Sequence, residues 1–250
     1  NCNFDGNVVD QIVKEAAHDE SYDVKNAISK EIGYIAPHLT ELYMSLLDDP
    51  IYQESALSCF GVMANYSGFS FFFESFFKIV NTSQRAISTL LQITPLVDPS
   101  EHRLLYKCAK ALRNNKEFIS CFYQFTRPFS NREKFLKFFN TRRMKGFRER
   151  FLYCQQSQYF VAEFGIKMLP IALEFTNDSS RVVRRQSSCL LTEIVKNVPE
   201  SRNAVLSLVT SNWMQRIVLA NVCISIVGNK RLYNNDSCNS YEDEKVKTNS

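Results

Sequence analysis

Side chains with reactive chemistry are thinly spread through this chain of 250 residues. The three histidines, His18, His38 and His102, stand 20 and 64 residues apart, and no two share a helical turn. Zinc sites need Cys or His pairs at short spacing, as in Cys-x-x-Cys or His-x-x-x-His, and neither pattern occurs. Eight cysteines lie at Cys2, Cys59, Cys108, Cys121, Cys154, Cys189, Cys223 and Cys238, never closer than 13 residues. Paired carboxylates stand at Asp19-Glu20 and Asp48-Asp49, where a general acid and base could be sought, but an acidic turn facing water explains them as well. The glycine patterns of nucleotide loops and nucleophile elbows are missing. The expectation is a chain without catalytic residues, bound metal or cofactor.

Binding chemistry is better represented. Residues 127–150 hold nine basic side chains against Glu133 and Glu149, ending in the strip Arg142, Arg143, Lys145, Arg148 and Arg150. Such a strip suits an anionic partner, whether an acidic protein surface or phosphates. The segment "FTNDSSRVVRRQSSCLLTEIV", residues 175–195, adds Arg181, Arg184 and Arg185, and its Arg184-Arg185-Gln186-Ser187 run has the form of a basophilic kinase site. At about 100° per residue with Val183 at zero, Ser187, Leu190 and Ile194 fall on one stripe, so Ser187 is predicted to be buried. Arg181, Arg185 and Thr192 fall on the water face, with Arg184 at the border. Trp213, the single tryptophan, sits in "SNWMQR" beside Met214 and Arg216, residue types that anchor interfaces. The candidate partner-binding residues are therefore Arg142, Arg143, Lys145, Arg148, Arg181, Arg185, Trp213, Met214 and Arg216.

The elements that must carry these groups are helices. With 45% hydrophobic residues the chain can bury a core, and 7 Gly and 7 Pro are too few for the tight turns of a sandwich or barrel. Most cysteines fall in apolar helical stretches, where a free thiol acts as a small hydrophobe; this points to a reduced compartment, cytoplasmic or nuclear. The most apolar stretch, residues 60–80, is interrupted by Asn65, Glu74 and Lys78 and is predicted to be a buried helix, with no membrane insertion. Charge is uneven: residues 1–100 carry 5 basic and 13 acidic groups, and residues 101–228 carry 21 and 9.

Periodic helices alternate with polar breaks near residues 19, 49, 81, 114, 140, 178 and 212, at intervals of 26 to 38 residues. Seven helical hairpins result, each too thin to bury its own apolar stripe, so they must stack on one another. The pattern resembles HEAT repeats at the residues that define them: Leu169-Pro170, Asp178 and Val183-Arg184; Asp19 with Val24-Lys25; and Pro37 with Asp49. The resemblance implies an all-α, right-handed α-solenoid of about seven hairpins over residues 8–228, with Asp19, Lys25, Asp178 and Arg184 in a ladder between repeats and a concave surface lined by second helices. Residues 229–250 read as a disordered polar tail.

Within that family, Phe164-Gly165 before Leu169-Pro170, then Asp178 and Val183-Arg184, look most like the scaffold subunit of protein phosphatase 2A and the large regulatory subunit of protein phosphatase 4. The resemblance implies a non-enzymatic protein-binding scaffold whose turns hold a protein partner, such as a phosphatase catalytic subunit. The alternatives are a HEAT-like nucleic-acid binder using the basic half, or a transport or adaptor protein.

Overall fold

The computed structural model describes residues 6–206 and 212–227, and within these every regular element is helical. The tail expected at residues 229–250 lies outside the described residues. The chain divides into two compact units, one ending at Phe135 and the other beginning at Leu136.

The first unit contains α1 (Gly6–Ala17), α2 (Tyr22–Ile35), α3 (Thr40–Asp48), α4 (Gln53–Ala56), α5 (Phe60–Ser67), α6 (Phe69–Ile79), α7 (Gln84–Ile93), α8 (His102–Ala111), α9 (Lys116–Ser120) and α10 (Phe122–Thr126). The second contains α11 (Phe147–Ser157), α12 (Val161–Phe164), α13 (Leu169–Thr176), α14 (Arg181–Asn197), α15 (Ser201–Leu206) and α16 (Trp213–Val227). Short 3-10 segments join them, the longest being Glu133–Phe139.

One device ends the helices at the polar breaks. A short side chain turns back to accept a backbone N–H two or three residues on, which competes with helix continuation. Asp19 accepts from Ser21, Asp49 from Ile51, Ser83 from Ala86 and Asn115 from Phe118, at 2.7, 2.9, 3.1 and 3.0 Å. Asn140 accepts from Arg142, Asp178 from Ser180 and Asn212 from Met214, at 3.1, 2.7 and 3.0 Å.

Side-chain bonds then link positions about one break-to-break interval apart. In the first unit His38 meets Asp10 at 2.7 Å, Ser55 donates to Asn26, Ser83 to Glu54, and Arg85 to Ser58 at 2.6 Å; these partners are 27 to 29 residues apart. Glu101 reaches back to the N–H groups of Phe69 and Ser70, at 2.9 and 3.0 Å, capping α6 where Gly68 adopts a positive φ of 86°.

Phenylalanine fills the first unit. Phe69, Phe72, Phe73 and Phe76 are buried on one side of α6, while Phe71, Glu74 and Lys78 are not. The α6 helix of 11 residues is about 16 Å long, half a bilayer core, and no described helix is long and apolar enough to cross a membrane. Phe60 and Phe76 approach to 4.6 Å between ring centroids, with Tyr43 set edge-on to Phe72 and its hydroxyl bonded to Ala56 O at 2.9 Å. A second cluster joins Phe118, Phe122, Phe125, Phe129 and Phe135.

In the second unit α14 is the central element, touching α11, α13 and α16. Val183, Ser187, Leu190, Leu191 and Ile194 are fully buried along it. Thr192, expected on the water face, is only 8% exposed. Three neighbouring helices widen the covered arc beyond a single stripe, and Gln186 and Ser188 are buried with it.

Candidate functional site

The basic strip begins on a turn that is fixed from within. After Asn140, residues Thr141–Arg143 make one 3-10 turn, and the buried carboxylate of Glu149 accepts the N–H groups of Lys145 and Gly146, at 2.8 and 3.3 Å, to close the start of α11. Arg142, Arg143, Lys145 and Arg148 are left exposed around this frame.

The neighbouring turn is locked to it. Asp178, with its side chain 4% exposed, accepts a two-pronged hydrogen bond from Arg150, 2.5 Å to Nε and 3.2 Å to Nη2, while also capping Ser180 at 2.7 Å. Glu174 accepts from the backbone N–H of Thr141 at 3.1 Å and from the Thr141 hydroxyl. Arg184 does not reach the Asp178 carboxylate; its Nη1 donates to the backbone carbonyls of Asp178 and Ser179, at 2.6 and 2.8 Å. The tie within the second unit thus runs from Asp178 to Arg150 on α11, and Arg184 braces the turn itself. A third turn joins the row through Asn212 Nδ2 to Asn177 Oδ1 and Gln215 Nε2 to Thr176 Oγ1, both at 3.1 Å.

Asp19 and Lys25 form no ion pair among the described residues. Asp19 is spent on the N–H of Ser21, and Lys25 places its ammonium 5.9 Å from the ring centre of Tyr52.

Between the first two turns of the row lies a cleft of about 540 Å³, lined by Asn140, Arg142, Asn177 and Ser179 and by the Arg150–Asp178 pair. Of its two carboxylates, Asp178 is paired with Arg150, and Glu174 accepts from Thr141 through Oε1. The cations along the row have no such pairing. Arg142, Arg143, Lys145, Arg148, Arg181, Arg185 and Arg216 are exposed, and none has a carboxylate within 4.0 Å among the described residues. Trp213 is 59% exposed and Met214 half-buried. The first turn of α14 holds no acid, and Arg181 opens it. A cation there opposes the helix dipole by about 0.3–1 kcal/mol, so this placement does not serve the fold.

Other basic residues of the stretch 127–150 are spoken for. Arg132 lies over the Tyr123 ring at 5.0 Å. Lys134 is 4.6 Å from Phe129, 5.3 Å from Tyr106 and 5.4 Å from Phe135, and the burial this entails lowers its pKa. Arg150 is held by Asp178. Arg148, though exposed, lies over the Phe147 ring at 6.0 Å, so four of the nine basic residues in this stretch make internal contacts.

Ser187 is fully buried and donates to Arg184 O at 2.6 Å, out of reach of a kinase. Of the nine residues singled out from sequence, Arg142 alone lines the cleft; the others stand on the same three turns and within the first five residues of α11, α14 and α16. Thr141, Glu174 and Asn177 escaped notice. The asparagine marked a break and so had a signal, whereas the glutamate inside an apolar helix had none.

The chain has no significant match among protein-family models, curated proteins or solved structures.

Proposed function

We propose that the chain is a non-enzymatic scaffold that holds an acidic partner protein on the row of turns at residues 140–148, 177–181 and 212–216. The observation that carries this reading is the contrast between a cross-linked frame and its cargo of charge. Three turns are tied together by the bonds of Asp178, Glu174, Asn177 and Thr176, yet seven cations on and beside them have no carboxylate within 4.0 Å among the described residues. A rigid row of unsatisfied cations is preorganised for an anionic surface.

In this reading the hairpins form a right-handed α-solenoid of about seven HEAT-like repeats. Its support is the regular use of a side-chain turn at each break and the bonds linking residues one repeat apart. The likeness to phosphatase scaffold and regulatory subunits makes a serine/threonine phosphatase catalytic subunit the first partner to test.

The experiment is affinity capture on the native chain with mass spectrometry of retained proteins, repeated after Arg142, Arg143 and Lys145 are changed together to Glu. Capture of a defined protein should be lost while helicity by circular dichroism is unchanged. Undiminished capture would remove the strip from the site. DNA binding that falls steeply with salt, with no protein retained, would replace the scaffold by a nucleic-acid surface.

A further inference from the structure

The polar cleft has an apolar neighbour. Pro170 and Leu173 of α13 and Leu219 of α16 help to wall a second cavity of about 260 Å³, and Glu174 and Asn177 belong to the lining of both. That volume is below the roughly 300–1,000 Å³ filled by a drug-sized ligand, so it suits one inserted side chain rather than a free small molecule. The bond from Gln215 to Thr176 holds α16 against α13 at this point.

The shared wall carries an unused donor and an unused acceptor. Asn177 receives a bond from Asn212 on its oxygen, leaving its amide nitrogen without a partner among the described residues. Glu174 uses Oε1 for Thr141, and its Oε2 has none. One donor beside one acceptor is what a peptide group of an extended chain requires. Arg142 lines the polar cleft and not the apolar cavity, and the exposed Arg143 follows it in the chain. The negative charge of Glu174 keeps anionic groups off the middle and directs them to the arginines. A continuous phosphate backbone would have to cross that carboxylate, which disfavours nucleic acid here.

We infer that the two cavities together receive an extended segment of the partner chain that carries one leucine- or phenylalanine-sized side chain and, a few positions away, acidic residues. The apolar side chain enters between Pro170, Leu173 and Leu219, the backbone crosses Asn177 and Glu174, and the acids meet Arg142 and Arg143. This rests on the scaffold reading and adds the chemistry of what is held.

The test uses the full chain and fluorescein-labelled ten-residue peptides holding one leucine and an Asp-Glu-Asp run set at different distances on either side, read by fluorescence polarisation. At least one spacing should bind, and Arg142→Glu should weaken it about tenfold or more, a loss of roughly 1.4 kcal/mol. Replacing the peptide leucine by serine should weaken it comparably, which needs no altered protein; Leu219→Gln, checked for helicity, is the matching change on the chain. Equal binding of the serine peptide would reduce the site to a charge patch and overturn the inference, as would tighter binding of a single-stranded oligonucleotide. If no peptide binds but the triple Glu reversal still abolishes partner capture, the inference fails and the scaffold reading stands. If capture survives the reversal, the basic strip is not where the partner is held, and the inference fails together with that placement.

Discussion

Removing the Asp178–Arg150 pair should loosen the second unit by an amount that can be worked out in advance. The Asp178 side chain is 4% exposed and that of Arg150 18%. Breaking a fully buried pair costs about 3–5 kcal/mol, much of it from the charge left behind, and the partial exposure of Arg150 places this pair at the lower end. Asp178→Ala also removes the acceptor for Ser180 N–H, so about 3 kcal/mol is expected. Asp178→Asn keeps that acceptor and loses only charge, for about 1–2 kcal/mol. Arg150→Ala strands the buried carboxylate and should cost about 3–4 kcal/mol. A double-mutant cycle of the two alanines should give a coupling near 2 kcal/mol, whereas Asp178→Ala with Arg184→Ala should couple weakly because Arg184 binds backbone carbonyls. Trp213, the only tryptophan, lies in the same unit and reports its unfolding by fluorescence in urea. With a urea slope of about 1–2 kcal/mol per molar, Asp178→Ala should lower the midpoint by roughly 2 M. A shift below about 0.5 M with no coupling to Arg150 would refute the claim that this pair ties the turn at Asp178 to α11.

Two further outcomes follow from buried groups. Burial pushes the thiol of Cys59 up to about 11 and that of Cys108 up to about 12, from 9.0 for a free thiol, so both stay protonated in the fold. Because the unfolded thiol ionises first, their contribution is intact below pH 9 and is lost as pH rises from 9 towards the folded values, with a slope of up to about 1.4 kcal/mol per pH unit for each. Urea midpoints followed by circular dichroism should fall across that window and fall less in Cys59→Ala with Cys108→Ala; a midpoint that rises would contradict the assignment. For Ser187, a basophilic kinase should label a synthetic peptide of residues 180–190 but leave the native chain unmodified at that position by mass spectrometry. Phosphate on Ser187 in the folded protein would show that α14 opens far more readily than its burial implies.

The polar breaks were legible in the sequence because each needs a specific short side chain that folds back on the backbone, and Asp, Asn and Ser announce themselves. Burial of Ser187 was legible for a similar reason, since one helical stripe decides it. Thr192 was not, because the number of neighbours around α14 is a tertiary fact. The partner of Asp178 was hidden as well: spacing along the chain favours Arg184, but the register between adjacent helices brings Arg150 to the carboxylate. Charge counting located the basic stretch 127–150 but not which of its members the fold holds: aromatic rings of the first unit take Arg132 and Lys134, and Asp178 takes Arg150. The groove itself depends on Glu174 and Leu219, ordinary residues of apolar helices until two cavities meet beside them.

The spacing of the side-chain ties sets a timetable for synthesis. Asp10 to His38, Asn26 to Ser55, Glu54 to Ser83, Thr141 to Glu174 and Arg150 to Asp178 join residues 28 to 33 positions apart. At about 5–20 residues per second, the partner that completes each tie leaves the ribosome roughly one to seven seconds after the first member. These bonds therefore become available in sequence during translation, so an exposed apolar stripe waits for one neighbour rather than for the end of the chain. The interval most vulnerable to misfolding recurs, briefly, once for each tie.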